Sequence, residues 1–219
     1  MTVTEMLSTL GLELGDPEEQ QFTQSDKLNF LNSAQDEIIS DLLASGVDKL
    51  WDLQKEEKFS VGASGYALSN FGNYQMLENG YVASRITEGN WIYRQAASDV
   101  GQMQNELLAG TDSNPICTLF ANKYYLYVET YPQNITLWYI RKPKTMVASG
   151  ATEQDYTTTT CELGVIFHPL VIKRAKIKAL LAINEIQKAE IAIAEENDLR
   201  TSLHLSLVPG LKNNSETKQ

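Results

Sequence analysis

From His168-Pro169 to Asn197 the chain contains no further proline and no glycine, and this stretch limits the possible fold more than any other. Ile172, Ala175, Ala179, Ile183, Ile186, Ala189 and Ile193 recur along it at three- and four-residue steps, the spacing that lines one face of an α-helix. Proline suits a first helical position, where its missing N–H has no partner to lose, and it drives His168 towards an extended conformation. The stretch therefore predicts one long helix over Phe167 to Asn197. Its charges run against the helix dipole, with Lys173, Arg174, Lys176 and Lys178 near the positive end and Glu195, Glu196 and Asp198 near the negative end. Each misplaced charge costs up to about 1 kcal/mol. Such wiring points to other subunits or partners as receivers of the charges, and on the dipole alone reversing the four bases to Glu would leave the isolated chain as stable or more so.

A chain of 219 residues, 42% hydrophobic and 21% charged, can bury roughly 70% of its unfolded surface as one domain, so a packed core is expected. Its net charge of −10 is uneven: residues 1–60 hold 13 acids against 4 bases, whereas residues 166–219 hold 6 against 8. An acidic balance argues against general nucleic-acid binding, which needs a basic surface to replace phosphate counterions. It suits a wall that DNA must pass without sticking. No 18-residue apolar run and no leader-like N-terminus are present, which predicts no membrane partner and a cytosol-like compartment. Cys117 and Cys161, without a Cys-x-x-Cys or Cys/His cluster, read as reduced structural thiols.

Taken in order, Met1 to Leu10 predicts a short helix with Met6, Leu7 and Leu10 on one side and Gly11 as its stop, followed by a solvated acidic loop over residues 13–21. Thr23-x-x-Asp26, or Ser25, opens a second helix with a stripe of Leu28, Leu31, Gln35, Ile38 and Leu42, stopped by Gly46. Glycine-punctuated pieces around residues 58–61, 66–68 and 81–87 read as edge strands and loops, and Ala97 to Leu108 has helical spacing. Between Pro115 and Pro143, residues 116–120, 124–130 and 135–141 alternate as three strands of an antiparallel meander. Large apolar groups on both faces of the last two predict that one face meets the helices and the other meets another surface. Lys144 to Cys161 reads as a polar loop. Past Asn197, Leu203, Leu205 and Leu207 alternate as a strand would, with Val208 before Pro209-Gly210 and a polar tail.

Little in the sequence carries chemistry. His168 with Glu162 or Asp155 is a conceivable acid–base set, but no nucleophile motif accompanies it, and a His before Pro at a helix start is ordinarily a cap or turn residue. Gly62-Ala-Ser-Gly65 lacks the Gly-Lys-Ser/Thr of a phosphate loop, and no acidic set has calcium-loop spacing. No catalytic, cofactor-binding or metal residue is assigned, and no cofactor is expected.

Three pieces, taken together, carry a family resemblance: Lys27-Leu-Asn-Phe-Leu-Asn-Ser-Ala-Gln-Asp-Glu-Ile-Ile in an acidic helical N-terminus, a β region closing on Trp138-Tyr-Ile-Arg-Lys-Pro143, and Glu162 with His168-Pro-Leu-Val-Ile leading into a long helix. Their succession resembles the head-to-tail adaptor (connector, or gatekeeper ring) proteins of tailed bacteriophages over most of the chain. The reading is an α+β fold: helices, including one long C-terminal helix, packed with a small antiparallel meander, in a single domain over residues 1–200 with a docking arm at 201–219. The resemblance implies a non-enzymatic virion protein at the head–tail junction, made in the host cytoplasm. It implies a ring, commonly of twelve subunits, that sits under the portal protein, extends the DNA channel, receives a tail or nozzle protein and lets genomic DNA pass without specific binding. The expected partner-binding residues are Lys173, Arg174, Lys176 and Lys178, and Leu203, Leu205, Leu207 and Val208. Two other readings compete: a nucleic-acid-binding protein using the basic start of the long helix, and a small cytosolic enzyme with an unrecognised site.

Overall fold

A computed structural model describes residues 1–45, 50–71, 76–96, 98, 110–148, 150, 151, 154 and 157–207. The chain divides into two compact units, one built from Met1–Asp41 together with the chain from Lys144 onward, the other from Leu42–Pro143. The class is α+β, as the mixture of helical and alternating periods indicated.

The continuous unit is a sheet. Its strands are β1 (Gln54–Val61), β2 (Tyr66–Ala67), β3 (Met76–Ile86), β4 (Trp91–Arg94), β5 (Ile116–Phe120), β6 (Lys123–Tyr127) and β7 (Gln133–Arg141). Among the described residues they line up as β1-β7-β3-β4-β5-β6-β2, antiparallel except for the parallel pair β4–β5. The β5–β6 hairpin turns through Ala121 and Asn122, both at positive φ (49° and 58°), the conformation that matches the twist of a two-residue hairpin. The expected meander stops there. Instead of following β6, β7 inserts between β1 and β3, with Phe59 opposite Ile135 on one side and Ser84 opposite Leu137 on the other. A strand rich in apolar groups on alternate positions is stabilised most where both of its edges are paired, so β7 is interior. The third glycine-punctuated piece, expected at an edge, also lies inside the sheet as β3.

Ile135, Leu137 and Tyr139 of β7 point inward with Val61, Ile92, Cys117, Tyr124 and Leu126 and form one buried cluster. Aromatic rings close it. Phe59 of β1 stands 4.3 Å from Tyr66 of β2, centroid to centroid, and Phe71 lies 5.2 Å from Phe59 and 5.3 Å from Tyr139. Since β1 and β2 end the strand order, the sheet curls until its two edges face each other across these rings. The inward face is therefore buried within the sheet's own curl, where helices were expected.

The helical unit holds α1 (Val3–Leu14), most of α2 (Gln24–Ser45), a short parallel pair β8 (Thr145–Met146) and β9 (Thr157–Thr158), α3 (His168–Ala182) and α4 (Ile186–Leu207). A capping box starts α1, with Thr2 accepting from the Glu5 amide and Glu5 accepting from the Thr2 amide. Its stop is Gly15 (φ 70°), one turn later than expected, where the Asp16 amide bonds Gly11 O and the Gly15 amide bonds Leu12 O in a Schellman motif. Gly11 lies inside the helix, and a Cβ there would stand only 3.4 Å from Lys27 Nζ and from Asp16 O. Thr23 and Asp26 cap α2 reciprocally, and Leu31, Gln35 and Ile38 of the expected stripe are buried. Asn32 ties α2 to β8 by accepting from the Met146 amide and donating to its carbonyl. Gly46, and the helix expected over Ala97 to Leu108 but for Ser98, lie outside the described residues.

The single helix expected over Phe167 to Asn197 is two. It breaks at Ile183-Asn184-Glu185, with Asn184 at φ 62°. The Glu185 amide bonds Leu180 O at 2.9 Å and the Asn184 amide bonds Leu181 O at 3.1 Å, a second Schellman motif with asparagine in the left-handed position. α4 then folds back on α3, so that Ile177 and Leu180 pack on Ala192 and Ala189. The helix continues to Leu207, so Leu203, Leu205 and Leu207 are helical rather than strand-like, and residue 201 lies within it. Val208 lies outside the described residues. Asn184→Gly is expected to keep or slightly raise the melting temperature, whereas Asn184→Ala should cost about 1 kcal/mol, a drop of roughly 2–4 °C, readable by calorimetry.

Candidate functional site

Folding α4 back on α3 brings the bases of one helix beside the acids of the other. Lys173 Nζ lies 2.8 Å from both Glu13 and Glu195, and Lys176 stands 3.5 and 3.6 Å from the same two carboxylates. A second group centres on Glu196, whose side chain is only 6% exposed. It accepts from Arg174 Nε at 2.8 Å and from Arg200 Nε at 2.7 Å, while Arg174 also reaches Glu37 at 3.2 Å and Asp41 at 3.5 Å. Lys178 pairs with Glu37, and Arg200 with Asp41. Two bases meet two acids in the first group and three meet three in the second, so both are neutral. The receivers of Lys173, Arg174, Lys176 and Lys178 are thus carboxylates of the same chain, where the charge pattern had pointed to other subunits or partners.

These contacts set the ionisation of the acids. Burial alone would raise the Glu196 carboxyl, but bonds from Arg174 and Arg200 outweigh it and hold it below the usual carboxylate range. Lys173 lowers Glu195 in the same sense. For Glu37, burial works against Lys178 and Arg174, and the bases prevail. A carboxylate held low when folded stabilises the fold fully above its unfolded value and loses that contribution as pH falls through the folded value. The hairpin should therefore be intact at neutral pH and weaken from about pH 4.3 downward.

A further buried pair was missed in the sequence, where residues 13–21 read as a solvated loop. Asp16 is 5% exposed and Lys27 2%. Asp16 accepts from the amides of Gln20, Gln21 and Phe22, and Lys27 Nζ sits 3.3 Å from its carboxylate and 2.6 Å from its carbonyl. Burial opposes ionisation here, yet the amide bonds and Lys27 keep the carboxyl low. The available signal was a lysine on a buried stripe, since Lys27, Leu31, Ala34 and Ile38 share one face of α2.

The conceivable acid–base set has structural partners. His168 is 2% exposed, donates Nε2–H to Leu163 O at 2.8 Å and faces the Met1 amine through Nδ1 at 2.8 Å. Glu162 accepts from the Lys144 amide at 2.6 Å, and Asp155 lies outside the described residues. Both cysteines are free and buried. Among the described residues no group of three or more His, Cys, Asp or Glu side chains could hold a metal ion, and no helix is long and apolar enough to cross a membrane.

Apolar side chains stand in solvent on both units. Leu181, Ile186, Ile191 and Ile193 project from the helical hairpin, and Trp91 and Tyr93 from β4. Exposed aliphatic and aromatic groups of this kind can serve as contact surfaces. Residues 1–208 match the SU10 adaptor protein family, and the chain belongs to that family, one of phage head-to-tail adaptors. No individual curated protein matches the chain. Membership makes it a structural protein of a phage virion and implies a role other than catalysis.

Arg174→Ala would leave buried Glu196 with Arg200 alone. The expected cost is about 3 kcal/mol, or a melting drop of about 6–12 °C at pH 7, and the difference from wild type should narrow at pH 3. Reversing Lys173, Arg174, Lys176 and Lys178 to Glu should destabilise the isolated chain, against the dipole argument, because it sets four new acids beside five; thermal melts check both.

Proposed function

We propose that this protein is a ring-forming head-to-tail adaptor that links the portal to the tail and extends the DNA channel. The observation that carries the reading is the family match over residues 1–208. The charge supports it: a chain at −10 whose basic helix is neutralised internally presents a repulsive wall to DNA phosphate. The same neutralisation removes the net basic face that a nucleic-acid-binding reading requires. The partners are the portal on one side and a tail or nozzle protein on the other, and the ring is a homo-oligomer, twelvefold if it follows the usual form of such connectors.

Within this reading, the arm formed by the last turn of α4, with Leu203, Leu205 and Leu207, and by Val208 and the polar residues after it docks on the portal. Lys173, Arg174, Lys176 and Lys178 brace the hairpin from which that arm departs. Alone, the protein is expected to be monomeric or weakly associated and to assemble when its portal is present. Native mass spectrometry with and without portal reads this directly, and a permanent monomer beside the portal would overturn it. Deleting Val208 to Gln219 should leave the melting temperature nearly unchanged while abolishing portal binding. A truncated chain that binds as tightly as the full one removes the arm from the reading.

A further inference from the structure

On the outer face of the sheet, register sets Trp138 between Glu56 of β1 and Ala83 of β3, and Arg85 opposite Trp91 of β4. The Trp91 and Trp138 rings lie 5.6 Å apart at 41°, with the small side chain of Ala83 opposite Trp138 on β3. Arg85 holds its guanidinium 6.0 Å from the Trp91 ring centre, and Trp138 Nε1 donates to Glu56 at 3.0 Å. Trp91 is 56% exposed and Tyr93 64%. Each such ring buries on the order of 150–250 Å² when covered, and Trp, Tyr and Arg are the residues in which protein interfaces concentrate their energy.

Charge selects the occupant. Among the described residues no ion pair engages Arg85, whose contact is the Trp91 ring. A second copy of a chain at −10 offers carboxylates in excess, and Glu18 and Glu19 stand exposed after α1 near Leu12, itself 68% exposed. Leu12, Pro17 and Glu19 line one shallow groove, so acid and apolar surface are presented together. Glu56, fixed within the patch by Trp138, is paired with Lys58 at 3.4 Å, which leaves Arg85 to select the occupant, and a protein edge can set single carboxylates beside it. A two-fold contact of the patch with itself would offer Arg85 the Glu56 of a second copy, which already holds Lys58 and Trp138, whereas Glu18 and Glu19 of the α1 edge stand exposed. The contact is therefore between unlike surfaces, and repetition of such a contact closes a ring or extends a filament.

We infer that Trp91, Tyr93 and Arg85 form a subunit contact that takes the Leu12, Glu18 and Glu19 edge of a second copy. The inference rests on the ring reading above and supplies one of its interfaces. Full-length wild type, W91A/Y93A, R85E, and R85E combined with E18R/E19R are compared by sedimentation with the purified portal, after thermal melts establish that each is folded. Wild type should assemble, W91A/Y93A and R85E should associate at least tenfold more weakly, and the charge-swapped variant should recover assembly. W91A/Y93A and R85E chains that assemble like wild type, or a swap that recovers nothing, overturn the contact while leaving the ring reading standing. Failure of wild type itself to assemble overturns the ring reading instead. Binding of a single-stranded thymidine oligonucleotide by wild type, lost in W91A/Y93A, would overturn the second copy as occupant and assign the patch to nucleic acid.

Discussion

The helical unit depends on one residue's tolerance of a left-handed backbone. Were Asn184 to continue the helix, Lys173 and Glu195 would sit about 33 Å apart along one rod, and the bases and acids of the stretch would be out of each other's reach. With Asn184 at φ 62° the rod folds in two, and the same residues lie at 2.8 Å. The turn costs little because asparagine is the side chain best suited, after glycine, to the left-handed region. What it makes possible is a neutral hairpin from a stretch whose two ends carry opposite charge.

Around that hairpin the remaining helices are joined by charge as much as by apolar packing. Glu13 of α1, and Glu37 and Asp41 of α2, each reach a base on α3 or α4. The small side chains at the helix contact, Ala189 and Ala192, let the two rods approach closely enough for the long Arg and Lys side chains to span to those acids. The second unit solves the same problem without charge: its edges are brought together by Phe59, Tyr66 and Phe71.

Local signals were legible in the sequence wherever a short-range rule decided the outcome. The Thr23–Asp26 cap, the buried faces of Leu31, Gln35 and Ile38, and the β5–β6 hairpin follow from spacing alone. Long-range choices were not legible. Nothing in residues 133–141 distinguishes pairing with the preceding strand from insertion between β1 and β3, because both satisfy the same alternation. The hairpin break was hidden because asparagine is also tolerated within a helix, so Ile183-Asn184-Glu185 continues the 3.6 period as well as it ends it. The charge clusters were hidden with it, since their partners become neighbours only after the turn. Asp16 and Lys27 misled for another reason: charged residues are seldom fully buried, and the pairing that offsets burial spans eleven positions.

The division of the chain into a continuous unit inserted within a discontinuous one bears on how the molecule is made. During synthesis, Leu42–Pro143 can complete its sheet as soon as β7 emerges, because every strand it pairs has already been translated. The helical unit cannot. Its α2 emerges early with Leu31, Ile38 and Ile39 needing cover, and Arg200, which completes the charge group at Asp41 and Glu196, follows some 160 residues later. At a translation rate of roughly 5–20 residues per second that apolar face waits on the order of ten seconds for its cover. The nascent N-terminal region, rich in carboxylates, spends that interval with its self-repulsion as its chief protection against association with neighbouring unfinished chains.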